Sequence, residues 1–157
     1  MTRIQTGDPA PELRLPDSEG REVSTRSFLG RPLVLYFYPK DDSPGCTREA
    51  CAFRDAYQEF ADAGAQVVGV SADSAESHRA FAQRHQLPFV LLSDPDGAAR
   101  RLFGVPTTLG LLPGRVTYVI DAGGTVRHIF NSQLQTARHI REALEIVQKL
   151  GAGAQPV

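Results

Sequence analysis

No stretch of this sequence approaches the roughly 18 or more consecutive apolar residues that a membrane-crossing helix needs, so no membrane span is expected. The first residues, Met1-Thr2-Arg3-Ile4-Gln5-Thr6-Gly7, lack the apolar centre of a secretory leader. Charge of one sign is also missing in excess. The formal net charge is −1 with acidic and basic residues interspersed, which argues against nucleic acid or an anionic membrane as a partner. There is no glycine-rich phosphate loop of P-loop or Rossmann spacing, no internal repeat and no low-complexity segment. Cysteine is scarce: Cys46 and Cys51 are the two present, and four residues separate them. That spacing is neither a Cys-x2-Cys redox motif nor a usual zinc ligand pair, and no paired histidine follows. No metal, haem, flavin or nicotinamide cofactor is expected. Two cysteines without a leader fit a reducing compartment, with the cytoplasm as the expected location and any disulfide transient. A length of 157 residues suits one domain over 1–157, whose tail, 152–157, is expected to be disordered.

What is present centres on residues 33–62. Leu33-Val34-Leu35-Tyr36-Phe37-Tyr38 is an unbroken apolar run of the length of a buried strand, ended by Pro39. After Lys40-Asp41-Asp42, Ser43 stands as an N-cap with Pro44 at the first helical position. The helix that follows places Cys46, Ala50, Phe53, Tyr57 and Phe60 on one stripe, with Arg48, Asp55, Gln58 and Asp62 opposite. Cys46 begins the buried stripe, whereas Cys51 falls about 140° around, on the polar side. In the first turn, backbone N–H groups lack intrahelical partners and the helix dipole favours negative charge. Gly45 and Cys46 supply the nearest such donors, so the position favours a thiolate over a thiol, or could dock an anion. Residues five apart on a helix have Cα atoms roughly 8.6 Å apart, while a disulfide wants about 4.4–6.8 Å. A Cys46–Cys51 bond thus requires the first turns of the helix to unravel.

Elsewhere the signals alternate. Asp17-Ser18-Glu19-Gly20 reads as a turn between Glu12–Leu15 and Arg21–Ser24, an N-terminal hairpin. Gly64 closes the central helix. Gln66–Ser71 then reads as a second strand, and Asp73 with Glu76 as a capping-box start for a helix to about His85. Pro88–Leu92 is a short strand and Gly97–Phe103 a short helix. Val116–Ile120 and Thr125–Phe130 flank the turn Asp121-Ala122-Gly123-Gly124 as a hairpin. The last helix runs from about Thr136 to Leu150, with Ala137, Ile140, Ala143, Leu144 and Val147 on one face and Gly151 as its stop. The four histidines, at 78, 85, 128 and 139, are scattered and read as surface residues.

The segment Tyr36-Phe37-Tyr38-Pro39-Lys40-Asp41-Asp42-Ser43-Pro44-Gly45-Cys46-Thr47-Arg48-Glu49-Ala50-Cys51 resembles the active-site stretch of the peroxiredoxins, in particular the PrxQ or bacterioferritin-comigratory-protein subfamily. The resemblance extends from about Gly7 to Leu150 through Gly7-Asp8-Pro9-Ala10-Pro11, Gly69–Ser74, Leu91-Leu92-Ser93-Asp94 and Gly114–Asp121. It implies an α/β, thioredoxin-like fold, a central mixed sheet flanked by helices with an N-terminal β-hairpin extension, which agrees with the βαβ rhythm followed by a hairpin and helix. By the same resemblance Cys46 is the peroxidatic cysteine, Cys51 the resolving cysteine that forms a disulfide with it, and Arg115 the distant active-site arginine. Pro39, Ser43 and Cys46 occupy the Pro-x3-Thr/Ser-x2-Cys pattern, Ser43 standing where threonine is commoner, and Glu49 matches an acidic residue that orients the arginine. Gly45 N–H, Cys46 N–H, the Ser43 hydroxyl and Arg115 are the expected donors to charge on the leaving oxygen. The implied activity is reduction of hydrogen peroxide and organic hydroperoxides, with thioredoxin or a similar dithiol protein as reductant and a monomeric chain. Two other readings stay open: a peroxide-responsive redox sensor or regulatory module, and a thioredoxin-like disulfide oxidoreductase, which the missing Cys-x2-Cys disfavours. Gly104-Val105-Pro106-Thr107 resembles a loop that precedes a strand in thioredoxins, but the next clear strand begins at Val116, and no role is expected for it.

Overall fold

Five strands build the central sheet in an order that puts the chain leading to Cys46 at its middle. The computed structural model describes residues 4–108 and 112–153. Strand β1 (Arg14–Pro16) and β2 (Glu22–Ser24) form the N-terminal hairpin, ahead of β3 (Leu33–Phe37). β3 lies parallel to β4 (Gln66–Ser71), which lies parallel to β5 (Val90–Ser93). On its other side β3 pairs antiparallel with β8 (Val116–Ile120), which pairs antiparallel with β9 (Val126–Asn131). Between β5 and β8 run a two-residue pair, β6 (Thr107–Thr108) and β7 (Leu112–Pro113). The sheet order is β5-β4-β3-β8-β9. Phe37 pairs with both Val70 and Val116, so the end of β3, where the chain turns toward Cys46, lies beside the start of β8, which Arg115 precedes.

Helices cover both faces, which is why every residue of β3 can be apolar. Val34, Tyr36 and Tyr38 point into one cluster with Cys46, Ala50 and Phe53 of α1 (Pro44–Asp55) and Phe60 of α2 (Tyr57–Asp62). Phe81 of α3 (Ala75–His85) and Ile140, Ala143 and Val147 of α5 (Thr136–Gly153) complete it. The Tyr36 ring stacks on Phe53 at 4.5 Å between centroids. Each such ring contributes about 2 kcal/mol from burial alone. Leu33, Leu35 and Phe37 face the second cluster, closed by Phe103 of α4 (Ala98–Phe103) and by Leu13 and Leu15 of the N-terminal segment. That segment is stitched on by backbone bonds from Gly7 to Val126 and from Val126 back to Asp8, at 2.8 and 2.9 Å. No described helix is long and apolar enough to cross a membrane.

The arrangement is the expected thioredoxin-like fold, with local departures. The central helix is two helices, because the ladder breaks at Ala56, although the predicted buried stripe survives in Cys46, Ala50, Phe53 and Phe60. The cap of α3 is Ser74, which accepts from Ser77 N–H. Asp73, expected in that role, instead accepts from Asp41 N–H at 2.8 Å and Ser71 Oγ at 2.6 Å. Gly151 does not stop α5, which runs to Gly153, and Ala137 is exposed rather than core-facing. The rest of the expected disordered tail, 154–157, lies outside the described residues. Thr107 does begin a strand, β6, which had no counterpart in the expected elements. The histidines depart furthest: His78 and His139 are fully buried, and His85 and His128 are partly so.

Candidate active site

The site forms where the N-terminus of α1 meets the residue before β8. Pro39-Lys40-Asp41-Asp42 carries the chain out of β3, and Thr47 N–H donates to Ser43 O at 2.8 Å as the first rung of α1. Gly45 and Cys46 N–H precede that rung, as a helix start requires. Ser43 holds the N-cap position without capping: its Oγ donates to Lys40 O at 2.9 Å. The expected Ser43 donor is therefore committed to the loop, and what its oxygen retains is the capacity to accept.

Cys46 is 1% exposed, and Arg115 Nη2 donates to its Sγ at 3.3 Å. Arg115, 4% exposed, donates from Nη1 to Glu49 Oε1 at 2.6 Å and from Nε to Gln133 O at 3.2 Å. Its guanidinium is thus aimed through three directions of its fork, the sulfur being one. Two glycines permit the approach. A Cβ on Gly45 would stand 3.0 Å from Arg115 Nη2, and one on Gly114 would stand 2.3 Å from the Pro106 carbonyl. The first lets the cation reach the helix start. The second lets the chain bearing Arg115 pass against its neighbour.

Burial sets the electrostatics. Glu49 is fully buried, and burial pushes its carboxyl up to about 7 against the pull of Arg115. Burial also opposes the Arg115 charge, but Glu49 and Cys46 outweigh it and hold the guanidinium above its usual range. Tyr36, beneath the site in β3, is pushed far above the ordinary tyrosine range by burial and then by Glu49 and Cys46. Behind Glu49 lies His139, held down to about 4 by burial, with Nδ1 at 3.7 Å from Glu49 Oε2.

Cys51 is half-buried on α1, and both cysteines are free thiols. The helix is continuous through both, so the structure holds the reduced, helical arrangement. Among the described residues no group of three or more His, Cys, Asp or Glu is placed to hold a metal ion. A cavity of about 190 Å³ lies elsewhere, among residues including Pro9, Phe28, Leu29 and Ile120, and shares no residue with this site.

With the geometry in view, the sequence can be set beside known proteins. Residues 6–129 match the AhpC/TSA family. The chain is 52% identical over 151 residues to the chloroplastic peroxiredoxin Q of Sedum lineare, covering 96% of this chain and 81% of that one. The chain belongs to the AhpC/TSA family, in its peroxiredoxin Q branch. Solved peroxiredoxins share its fold. Peroxidoxin BcpB of Mycobacterium tuberculosis superposes with a TM-score of 0.86 at 35% identity, over 98% of this chain and 100% of the other. The bacterioferritin comigratory protein of Xanthomonas campestris, studied for its alkyl peroxide reduction, gives 0.82 at 34% identity, over 88% and 92%.

In this peroxiredoxin the structure brings Cys46, Glu49, Arg115 and Gly45 together, and keeps Ser43 and Pro39 in the loop beside them. Cys51 stays on the same helix without touching Cys46. Reading the sequence missed the polar residues behind the site. His139 accepts a hydrogen bond from Thr117 Oγ1 at 2.7 Å, and its Nε2 lies 2.7 Å from Ser132 O. Asp41 accepts from Tyr38 Oη at 2.6 Å and Ser77 Oγ at 2.8 Å, with His78 Nδ1 at 2.8 Å. One signal was available: His139 lies four residues before Ala143 and eight before Val147, at the edge of the apolar side of an amphipathic helix.

Proposed function

We propose that Cys46 is the peroxide-reducing thiol of this peroxidase and that Cys51 closes the cycle. The Cys46 thiolate attacks one oxygen of a hydroperoxide. A sulfur–oxygen bond forms as the O–O bond breaks, and the sulfur is oxidised to sulfenic acid. The departing alkoxide or hydroxide takes a proton to leave as alcohol or water. Negative charge moves from sulfur to the leaving oxygen during this step, so a cation and N–H donors around the sulfur act where charge develops. The observation that carries this reading is Arg115 Nη2 at 3.3 Å from Cys46 Sγ, with its fork fixed by Glu49 and the Gln133 carbonyl. Gly45 and Cys46 N–H, from the start of α1, face the same region. Ser43 Oγ, its proton given to Lys40 O, can accept from the O–H of the incoming hydroperoxide.

In the second step the Cys51 thiolate attacks the oxidised Cys46 sulfur; a disulfide forms as the sulfur–oxygen bond breaks, and the departing hydroxide takes a proton to leave as water. Because α1 is helical through both residues, the turn between them has to open first. A dithiol protein of the thioredoxin class then returns both thiols, which suits a reducing compartment. The chain acts as a monomer in this reading.

The test is a coupled assay with thioredoxin and its reductase, using hydrogen peroxide and a bulky alkyl hydroperoxide, on wild type, Cys46→Ser and Cys51→Ser. Sustained turnover in wild type, none in Cys46→Ser, and a single round in Cys51→Ser are expected. Stoichiometric oxidation of wild type without turnover would instead favour a redox sensor.

A further inference from the structure

Arg115 can act on the Cys46 sulfur only as well as its own two anchors are held, and both anchors lead back to one side chain. The Gln133 carbonyl that receives Arg115 Nε follows Ser132, whose carbonyl lies 2.7 Å from His139 Nε2. A carbonyl can only accept, so Nε2 carries the proton. Nδ1 of the neutral ring then offers a lone pair, and it receives the Thr117 hydroxyl at 2.7 Å. Thr117 lies two residues after Arg115, within β8. The same Nδ1 stands 3.7 Å from Glu49 Oε2, which has no hydrogen-bond partner among the described residues, while Glu49 Oε1 holds Arg115 Nη1. The ring itself is seated by the edge contact with Phe130 at 4.6 Å, over which Arg138 lies at 5.0 Å.

We propose that His139 is a positioning residue of the peroxidase reaction, fixing from α5 the loop carbonyl and the carboxylate that aim Arg115 at Cys46. It bridges the segments on both sides of the arginine: Thr117 on β8, two residues after Arg115, and Ser132 beside the carbonyl that receives Arg115 Nε. Against Glu49 it fills the space faced by Oε2, so the carboxylate cannot turn away from Nη1 without meeting the ring. A neutral imidazole suits the place, because a second cation behind Glu49 would compete with Arg115 for the carboxylate. The low affinity of the buried ring for a proton is consistent with that state.

This inference rests on the peroxidase reading and is tested in a Cys51→Ser background, where Cys46 is the one thiol. Two second-order rates are measured at Cys46 by quenched mass spectrometry: oxidation by hydrogen peroxide and alkylation by iodoacetamide. His139→Leu is expected to lower the peroxide rate by about tenfold or more, because a small misplacement of a charge-stabilising group is felt at the reacting atoms. The alkylation rate should fall by less than about threefold, since alkylation does not use the leaving-oxygen donors. His139→Gln, whose amide N–H can reach Ser132 O, should return the peroxide rate to within about threefold of the reference. Equal loss of both rates in His139→Leu, or an unchanged peroxide rate, would overturn the proposal. Should His139→Leu fail to fold, Thr117→Val removes the hydroxyl on Nδ1 without disturbing the ring. It should lower the peroxide rate about threefold with alkylation unchanged, and an unchanged peroxide rate there overturns the proposal as well. A Cys51→Ser reference that peroxide does not oxidise at Cys46 would overturn the peroxidase reading itself, and this inference with it.

Discussion

Two buried polar networks hold the segment around Cys46, each built on a carboxylate and a histidine, and they differ in completeness. In the loop before α1, Asp41 is fully engaged: Tyr38, Ser77 and His78 meet its oxygens, its N–H reaches Asp73, and His78 Nε2 lies 3.0 Å from Leu92 O. The next residue, Asp42, takes a left-handed backbone, φ +65°, and is paired with Arg84 of α3. Behind α1, Glu49 uses one oxygen on Arg115 and leaves the other, beside His139, without a hydrogen-bond partner among the described residues. A satisfied buried network rigidifies what it holds, whereas an incomplete one stays costly and responsive. The complete network ties the loop to α3, outside the Cys46–Cys51 stretch. The incomplete one includes Glu49, which lies between the two cysteines and has to move whenever the turn joining them opens. The anchor that persists is the well-bonded one, and the anchor that must release is the incompletely bonded one.

The comparison breaks most sharply at Arg115. Arg115→Ala should lower the rate of peroxide oxidation at Cys46 by about 100-fold to 1,000-fold, the usual cost of losing a preorganised charge stabiliser, while the far-ultraviolet spectrum stays folded. A loss under about threefold would mean that the rear network serves the fold alone.

The front network should show the opposite pattern. Asp41→Asn leaves His78 facing a neutral partner in a buried site and should cost about 3 kcal/mol of stability in denaturant unfolding. Its peroxide rate per folded molecule should stay within about threefold of wild type. A large rate loss with unchanged stability would erase the distinction drawn here.

The incomplete network should be visible in pH. Glu49 sits at about 7 in the fold against 4.5 when unfolded, so between these values the folded state keeps a proton that the unfolded state has lost. Stability from this group therefore falls as pH rises, by about 3 kcal/mol over the window. His139 sits at about 4 against 6.5, so the unfolded state holds the extra proton and stability rises with pH from 4 to 6.5, by about 3 kcal/mol. From pH 4.5 to 6.5 the two oppose each other. Relative to wild type, Glu49→Gln should unmask a rise in stability over that range and His139→Gln a fall, both read from melting curves. Parallel curves for all three proteins would show that neither group titrates as its burial requires.

The smallest effect belongs to the contact between helix start and arginine. Gly45→Ala puts a methyl 3.0 Å from Arg115 Nη2, the far end of a flexible side chain that can shift. A roughly threefold to tenfold slower peroxide reaction with little change in melting temperature is expected. Unchanged kinetics would mean that the guanidinium tolerates displacement.

The legible part of the molecule was the part with local signals. The run Leu33–Tyr38, the Ser43-Pro44 helix start and the spacing of Cys46, Ala50, Phe53 and Phe60 each state their structure within a few residues, and the sheet and the helix that carries Cys46 follow from them. The resemblance supplied Arg115 and Glu49, which lie 66 residues apart and meet only in the fold. The polar residues behind them were unreadable for a physical reason. A histidine's place on a helix face hints at its burial, as at His139, but whether it is a surface or core residue depends on partners contributed from other elements. His139 finds Thr117 on β8 and Ser132 after β9, and His78 finds Asp41 and the Leu92 carbonyl. The break at Ala56 and the continuation of α5 past Gly151 likewise went against the local signals.

The central claim is that the sulfur at the start of α1, faced by Arg115, is the one that peroxide oxidises. The most direct measurement is mass spectrometry of Cys51→Ser after a single equivalent of hydrogen peroxide in the presence of dimedone. The account predicts one dimedone adduct, located on Cys46 and absent when Cys46 is also replaced. An unmodified Cys46 in folded protein, with peroxide left unconsumed, would contradict it.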